Sequence, residues 1–115
     1  MIGEQELKKM KKAALLINVS RGTIIDEQAL CQALKNGEIA GAALDVFEQE
    51  PPATENPLFD LDNIIFSPHN AALTDEALIA MATHSAQGIV DCLNGIKPKY
   101  VVNPEVFGLY RTKST

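Results

Sequence analysis

Three short apolar runs without alternation constrain this chain more than any other feature: Ala13-Ala14-Leu15-Leu16-Ile17, the stretch from Ile39 to Val46, and Asn63-Ile64-Ile65-Phe66. A strand with one face in water alternates apolar and polar residues. A strand covered on both faces does not, and strands of that kind belong to parallel sheets. Polar residues follow each run: Asn18 the first, Asp45 and then Glu48 and Glu50 the second, Ser67-Pro68-His69 the third. Parallel neighbours need a long crossover, and a helical pattern between the first two runs supplies it. Asp26 is a good N-cap, Ile25 and Leu30 have the spacing of a hydrophobic staple, and Asn36-Gly37 end the pattern. The segment Glu50-Pro51-Pro52-Ala53-Thr54-Glu55-Asn56-Pro57 can only be a loop.

Two further helices flank this unit. Glu4 to Met10 begins acidic and ends in Lys8, Lys9, Lys11 and Lys12, the order that a helix dipole favours. Thr74 caps a long helix to about Leu93, with Leu73 and Leu78 as its staple pair. Leu78, Met81, Ala82, Ser85, Ile89, Cys92 and Leu93 share one face and read as core. Asn94-Gly95 and Lys97-Pro98 stop it, and the remainder reads as an extended tail fraying from Arg111 to Thr115. The order helix, strand, helix, strand, strand, helix is an α/β pattern. A chain of 115 residues supports one small domain. Three strands are thin for a parallel sheet, so the expected fold is a partial, Rossmann-like doubly wound sheet with a long C-terminal helix.

Charge and cysteine usage narrow the function classes. Ten Lys and Arg against fifteen Asp and Glu give a net charge of −5, which argues against a general grip on nucleic acid or an anionic membrane. No apolar run approaches the roughly 20 residues of a membrane span. The opening residues lack the apolar centre of a secretory signal, so a cytoplasmic location is expected. Cys31 and Cys92 fall in helical patterns and read as reduced, semi-buried thiols. With two His and two Cys there is no zinc spacing, and no metal is expected. His84, on the helix face opposite Leu78 and Met81, reads as solvated, and Gly37 and Gly41 as a helix cap and a close strand start.

In open parallel sheets, ligands gather at the carboxyl ends of the strands. Ser20-Arg21-Gly22 follows the first strand, Asp45 and then Glu48 and Glu50 the second, His69-Asn70 the third. A guanidinium fork can hold and polarise an anionic carbonyl substrate, and an imidazole can exchange a proton with its oxygen. A carboxylate bonded to the far ring nitrogen fixes the tautomer and favours the charged ring. Glu50 and Glu48 are both candidates for it.

At this point the residues become specific. Asn18-Val19-Ser20-Arg21-Gly22, Ile25-Asp26-Glu27 with Ala29-Leu30, the run Gly41-Ala42-Ala43-Leu44-Asp45-Val46-Phe47-Glu48-Gln49-Glu50-Pro51, Asn56-Pro57-Leu58 and Ser67-Pro68-His69 stand in register. Together they resemble the NAD(P)-dependent D-isomer-specific 2-hydroxyacid dehydrogenases, and the likeness runs from residue 2 to about 106. The resemblance implies that Arg21 is the substrate-binding and catalytic arginine, Glu50 the glutamate that supports the histidine, and His69 the proton donor. It implies that Asp45 lies near the nicotinamide carboxamide, that Val19 and Ser20 pass the nicotinamide ribose beside Arg21, and that Asn70 and Ala71 lie beside the ring with His69. The activity implied is hydride transfer between NAD or NADP and a 2-oxo acid or D-2-hydroxy acid; which acid and which nucleotide stay open.

What departs from the family is equally clear. The glycines, at 3, 22, 37, 41, 88, 95 and 108, contain no pair one residue apart, so the G-x-G-x-x-G fingerprint is absent. Residues 1–93 are therefore expected to be the C-terminal half of a dinucleotide-binding domain, and 94–115 a tail returning toward a substrate domain. Such a fragment is expected to be inactive alone, to bind NAD or NADP weakly or not at all, and to form homo-oligomers, with the last helix as the element exchanged. The rival expectation is an interaction module that associates with itself or with an intact dehydrogenase.

Overall fold

Leu15–Asn18 (β1), Gly41–Leu44 (β2) and Ile64–Phe66 (β3) form a parallel sheet in the order β1-β2-β3. Leu15 is in register with Gly41, and Ala42 with Ile64. This computed structural model describes residues 1–109, which divide into two units: Met1–Ala71, and the described residues from Ala72 onward. The α/β architecture is as expected, and the sheet lies wholly in the first unit.

The crossover from β1 to β2 is α2, Glu27–Lys35. Its cap is the expected one: Asp26 accepts a hydrogen bond from the Ala29 N–H at 2.9 Å, and Gly37, at φ 63°, ends the helix in the left-handed region. Its residues Leu30, Cys31, Ala33 and Leu34 are buried. They form one core with Leu7, Ile25, Ile39, Ala42, Leu44, Leu58 and Ile64. Gly41 starts β2 where a Cβ would come within 2.8 Å of the Asn63 carbonyl oxygen, so the close strand start is real.

Several boundaries are corrected. The first helix, α1, covers only Glu4–Leu7 rather than Glu4 to Met10. Leu7 is its buried anchor, and Lys9 and Met10 donate back to the Glu6 and Leu7 carbonyls in tighter turns. The apolar period ends there; Lys8 pairs back with Glu4 one turn earlier, and the lysines beyond it add no apolar face to extend the helix. A feature not anticipated is the pairing of Ile2 with Ile25, where the Ile2 N–H donates to Ile24 and the Asp26 N–H to Ile2. Strands covered on both faces were expected. Instead Leu15, Ile17 and Ile65 are 71%, 67% and 71% exposed, while Asn18 and Ile64 on the other face are buried. The runs have the composition of two-sided burial, but α1 and α2 cover a single face.

In the second unit, Thr74 caps α3, Asp75–Leu93, by accepting from the Ala77 N–H, and Gly95 follows its end at φ 70°. Its stripe does not form a core: no residue of α3 is buried, and Leu73 and Leu78 are both exposed. Cys31 is a buried free thiol, but Cys92 is exposed rather than semi-buried. His84 is exposed as expected, its ring 4.7 Å from that of Tyr100. The expected extended tail contains a short helix, α4, Val106–Leu109; the fraying expected from Arg111 lies outside the described residues. Among the described residues no helix is long and apolar enough to cross a membrane.

Candidate active site

All the candidate site residues lie in loops that leave the carboxyl ends of the three strands. After β1, Asn18 organises the turn. Its Oδ1 accepts from the Ser20 N–H at 3.1 Å and its Nδ2 donates to the Arg21 carbonyl at 2.9 Å. This is an Asx-type turn that frees Val19, Ser20 and Arg21 to point outward. All three are exposed, and Arg21 donates from Nη1 to the Ser20 carbonyl at 2.7 Å. Gly22 is needed because a Cβ there would fall 1.9 Å from the Phe47 carbonyl carbon and oxygen. The Arg21 loop is thus pressed against the backbone of the loop after β2.

That second loop delivers Glu50 to the loop after β3. Glu50 Oε2 lies 2.7 Å from His69 Nδ1, and Glu50 Oε1 accepts from the Phe47 N–H at 3.1 Å. The bond to His69 is the main reason the Glu50 carboxyl lies below its ordinary carboxylate range. The Phe47 amide and the nearby charges of His69 and Arg21 act in the same direction, against a smaller effect of burial. The His69 and Glu50 side chains are 50% and 38% exposed, so the pair is open to a ligand. Glu48, the other candidate, turns away. Its Oε1 accepts from the Glu27 N–H at the start of α2, 3.3 Å away.

Asp45 is buried at the end of β2 and acts as the anchor of the third loop. Oδ1 accepts from the Ser67 hydroxyl and the Asn70 N–H, and Oδ2 from the Ala71 N–H at 3.0 Å. The Ser67 hydroxyl is the largest of the effects that hold its carboxyl below the ordinary range; burial opposes it, and the Ala71 and Asn70 amides and the His69 charge assist. The Asp45 carbonyl also accepts from the His69 N–H at 2.9 Å. His69 itself has φ 53°, a left-handed conformation that is uncommon for non-glycine residues.

The structure therefore brings Glu50 and His69 into direct contact and leaves Arg21 near enough to act on Glu50 through its charge. It ties Asn70 and Ala71 to Asp45 through their backbone. Ser67, Asn18 and Gly22 were not singled out as site residues by sequence reasoning. Asn18 carried a readable signal, an Asn at a strand end two residues before a serine; Ser67 and Gly22 act on partners more than twenty positions away. Beside the pair, Phe47, Phe59 and Phe66 pack with ring centroids 5.0 to 5.8 Å apart. They line a cavity of about 470 Å³ together with Pro51, Pro52 and the pair itself.

The family described as D-isomer specific 2-hydroxyacid dehydrogenase, NAD binding domain, matches residues 1–71, the whole of the first unit. A glyoxylate reductase of Thermofilum pendens is 50% identical over 106 residues, 92% of this chain and 31% of that protein. A glyoxylate/hydroxypyruvate reductase B of Klebsiella pneumoniae is 45% identical over 106 residues, again 92% of this chain and 33% of the relative. Among solved structures, D-lactate dehydrogenase with NAD+ from Lactobacillus jensenii superposes with a TM-score of 0.78 at 33% identity, over 89% of this chain and 34% of that one. The chain spans about a third of the length of each of these proteins.

Proposed function

Because the chain belongs to the NAD-binding domain family of the D-isomer specific 2-hydroxyacid dehydrogenases, we propose that it carries the proton-transfer and substrate-anchoring groups of a 2-oxo acid reductase. The observation that supports this most is the half-exposed His69–Glu50 pair at 2.7 Å. Glu50 binds Nδ1 and fixes the ring orientation, which leaves Nε2 as the nitrogen that exchanges a proton with the substrate oxygen. Arg21 offers a planar, permanently charged fork for the substrate carboxylate. Glyoxylate, the substrate named for the Thermofilum relative, has the required carboxylate next to a carbonyl.

The nicotinamide nucleotide of this family supplies the hydride when bound. Residues at the strand ends suit its nicotinamide end: Val19 and Ser20 are exposed after β1, and Asp45, after β2, holds the backbone of Asn70 and Ala71, after β3, in a fixed turn at the same edge of the sheet. The diphosphate end has no counterpart, since the glycine turn and helix N-terminus that cradle it are not among these 115 residues. We accordingly assign Val19, Ser20, Asp45, Asn70 and Ala71 to the nicotinamide end, and expect the chain by itself to bind NAD or NADP weakly.

The test is a chimera in which this chain replaces the corresponding third of the Thermofilum glyoxylate reductase. NADH- or NADPH-dependent glyoxylate reduction is expected, and His69→Gln should lower it by roughly 10² to 10⁴-fold, the usual effect of losing a general acid. Turnover untouched by that substitution would refute the assignment. A second reading, self-association or association with an intact dehydrogenase, is favoured by the open apolar face of Leu15, Ile17 and Ile65 and by the unburied stripe of α3. Light scattering across a wide concentration range checks it; a monomer throughout excludes self-association.

A further inference from the structure

We propose that Glu27, at the start of α2, is a positioning residue whose carboxylate clamps both ends of the loop that carries Glu50, and so sets the Glu50–His69 pair. This rests on the reading of that pair given above. Glu27 Oε1 accepts from the Glu48 N–H at 2.6 Å, and Glu27 Oε2 accepts from Asn56 Nδ2 at 2.9 Å. One side chain thus binds the residue two before Glu50 and the residue six after it. The return bond, from the Glu27 N–H to Glu48 Oε1, ties the same loop end to the first turn of α2, where backbone donors have no helical partner.

The intervening loop needs such a clamp. Pro51 and Pro52 lack an N–H and cannot pair with a neighbouring strand. Within the loop, the Asn56 N–H donates to Ala53 at 3.0 Å, a local turn that does not fix where Glu50 points. Asn56 cannot reverse its amide to suit another partner, because its Oδ1 accepts from the Leu58 N–H at 3.0 Å and caps the 3₁₀ turn Pro57–Asp60. The clamp therefore has a defined polarity: carboxylate on α2, amide donor on the loop. A glutamine at position 27 would present a donor to a donor, and an aspartate at position 56 would keep the Leu58 cap but face Glu27 with a like charge.

The polarity can be exchanged, which provides the test. The chain has two histidines, so two-bond ¹H–¹⁵N spectra of ¹⁵N-histidine-labelled protein resolve His69 against His84 as an internal reference. At about pH 9, above the range in which an ordinary imidazole titrates, the Glu50 bond should hold His69 in its Nδ1–H tautomer. Glu27→Gln and Asn56→Asp should each lose that tautomer in favour of Nε2–H, and the double variant, in which the glutamine donates to the aspartate, should restore it. The Asn70 and Ala71 amide signals, which depend on Asp45, should stay in place and show that the fold is intact. Glu50→Ala separates the two levels of the proposal. If it changes the tautomer and the clamp variants do not, Glu27 has no positioning role; if it changes nothing, the Glu50–His69 pair itself is wrong. Loss in both single variants without recovery in the double also overturns the clamp.

Discussion

Gly22 and Asp45 show how single residues join loops that are distant in sequence. Gly22→Ala places a methyl carbon onto the Phe47 carbonyl, backbone against backbone, so relief requires moving either the Arg21 loop or the Glu50 loop. A destabilisation of about 1–3 kcal/mol or more is expected, as for overpacking generally, and urea unfolding checks it; an unchanged midpoint would contradict the close approach. Asp45 links stability to pH. Its carboxyl is held below the ordinary range in the folded chain, so the unfolded chain takes up its proton first. The stabilisation is complete above the ordinary carboxylate range near 4 and disappears as pH falls through the lower folded value. Unfolding midpoints measured from about pH 7 to pH 2 should therefore show a shallower acid decline in Asp45→Asn than in the parent chain, with Glu50 still contributing part of the slope. Parallel declines would mean that Asp45 is not the anchor of the 67–71 turn. Arg21, Glu50 and His69 stand out in the sequence as candidates because ligand-binding loops follow strand ends in this kind of sheet. Strand-end spacing alone leaves Glu50 and Glu48 open, since two glutamates two positions apart differ only in which way the loop turns them; the family resemblance points to Glu50, and it is Glu50 whose Oε2 lies 2.7 Å from His69 Nδ1.

Among the elements, α2 was readable almost to the residue because its signals are local: cap, staple and terminal glycine all lie within or beside the helix. Asp26→Ala should cost about 1 kcal/mol, the usual loss for an N-cap; a change within error would mean that the Ala29 N–H finds another acceptor. The three strands were equally legible as apolar runs, but their burial was not. Hydropathy records the surroundings for which a strand is suited, while exposure depends on which elements the chain supplies, and here the helices of Met1–Ala71 cover one face. The same holds for α3, whose apolar stripe has helical spacing although no residue of the helix is buried. The pairing of Ile2 with Ile25 was invisible because a single bridge leaves no periodicity to read.

For the whole molecule, the candidate site side chains stand on 115 residues that hold no G-x-G-x-x-G turn for a diphosphate. Calorimetric titration of the chain with NAD or NADP should give a dissociation constant near the millimolar range, about 4 kcal/mol of binding, and a value below about 10 µM would contradict it. We propose that Glu50, not Glu48, acts through His69 near Arg21. The decisive measurement is the pH profile of 2-oxo acid reduction in the Thermofilum chimera, with Glu50→Gln and Glu48→Gln compared in parallel. Removing the Glu50 charge withdraws the partner that favours the charged ring. In Glu50→Gln, activity should survive on the acid side and fall at neutral pH, while Glu48→Gln, whose amide oxygen still accepts from the Glu27 N–H at the start of α2, keeps the parent profile. A profile unchanged in Glu50→Gln and displaced in Glu48→Gln would assign the role to Glu48 instead.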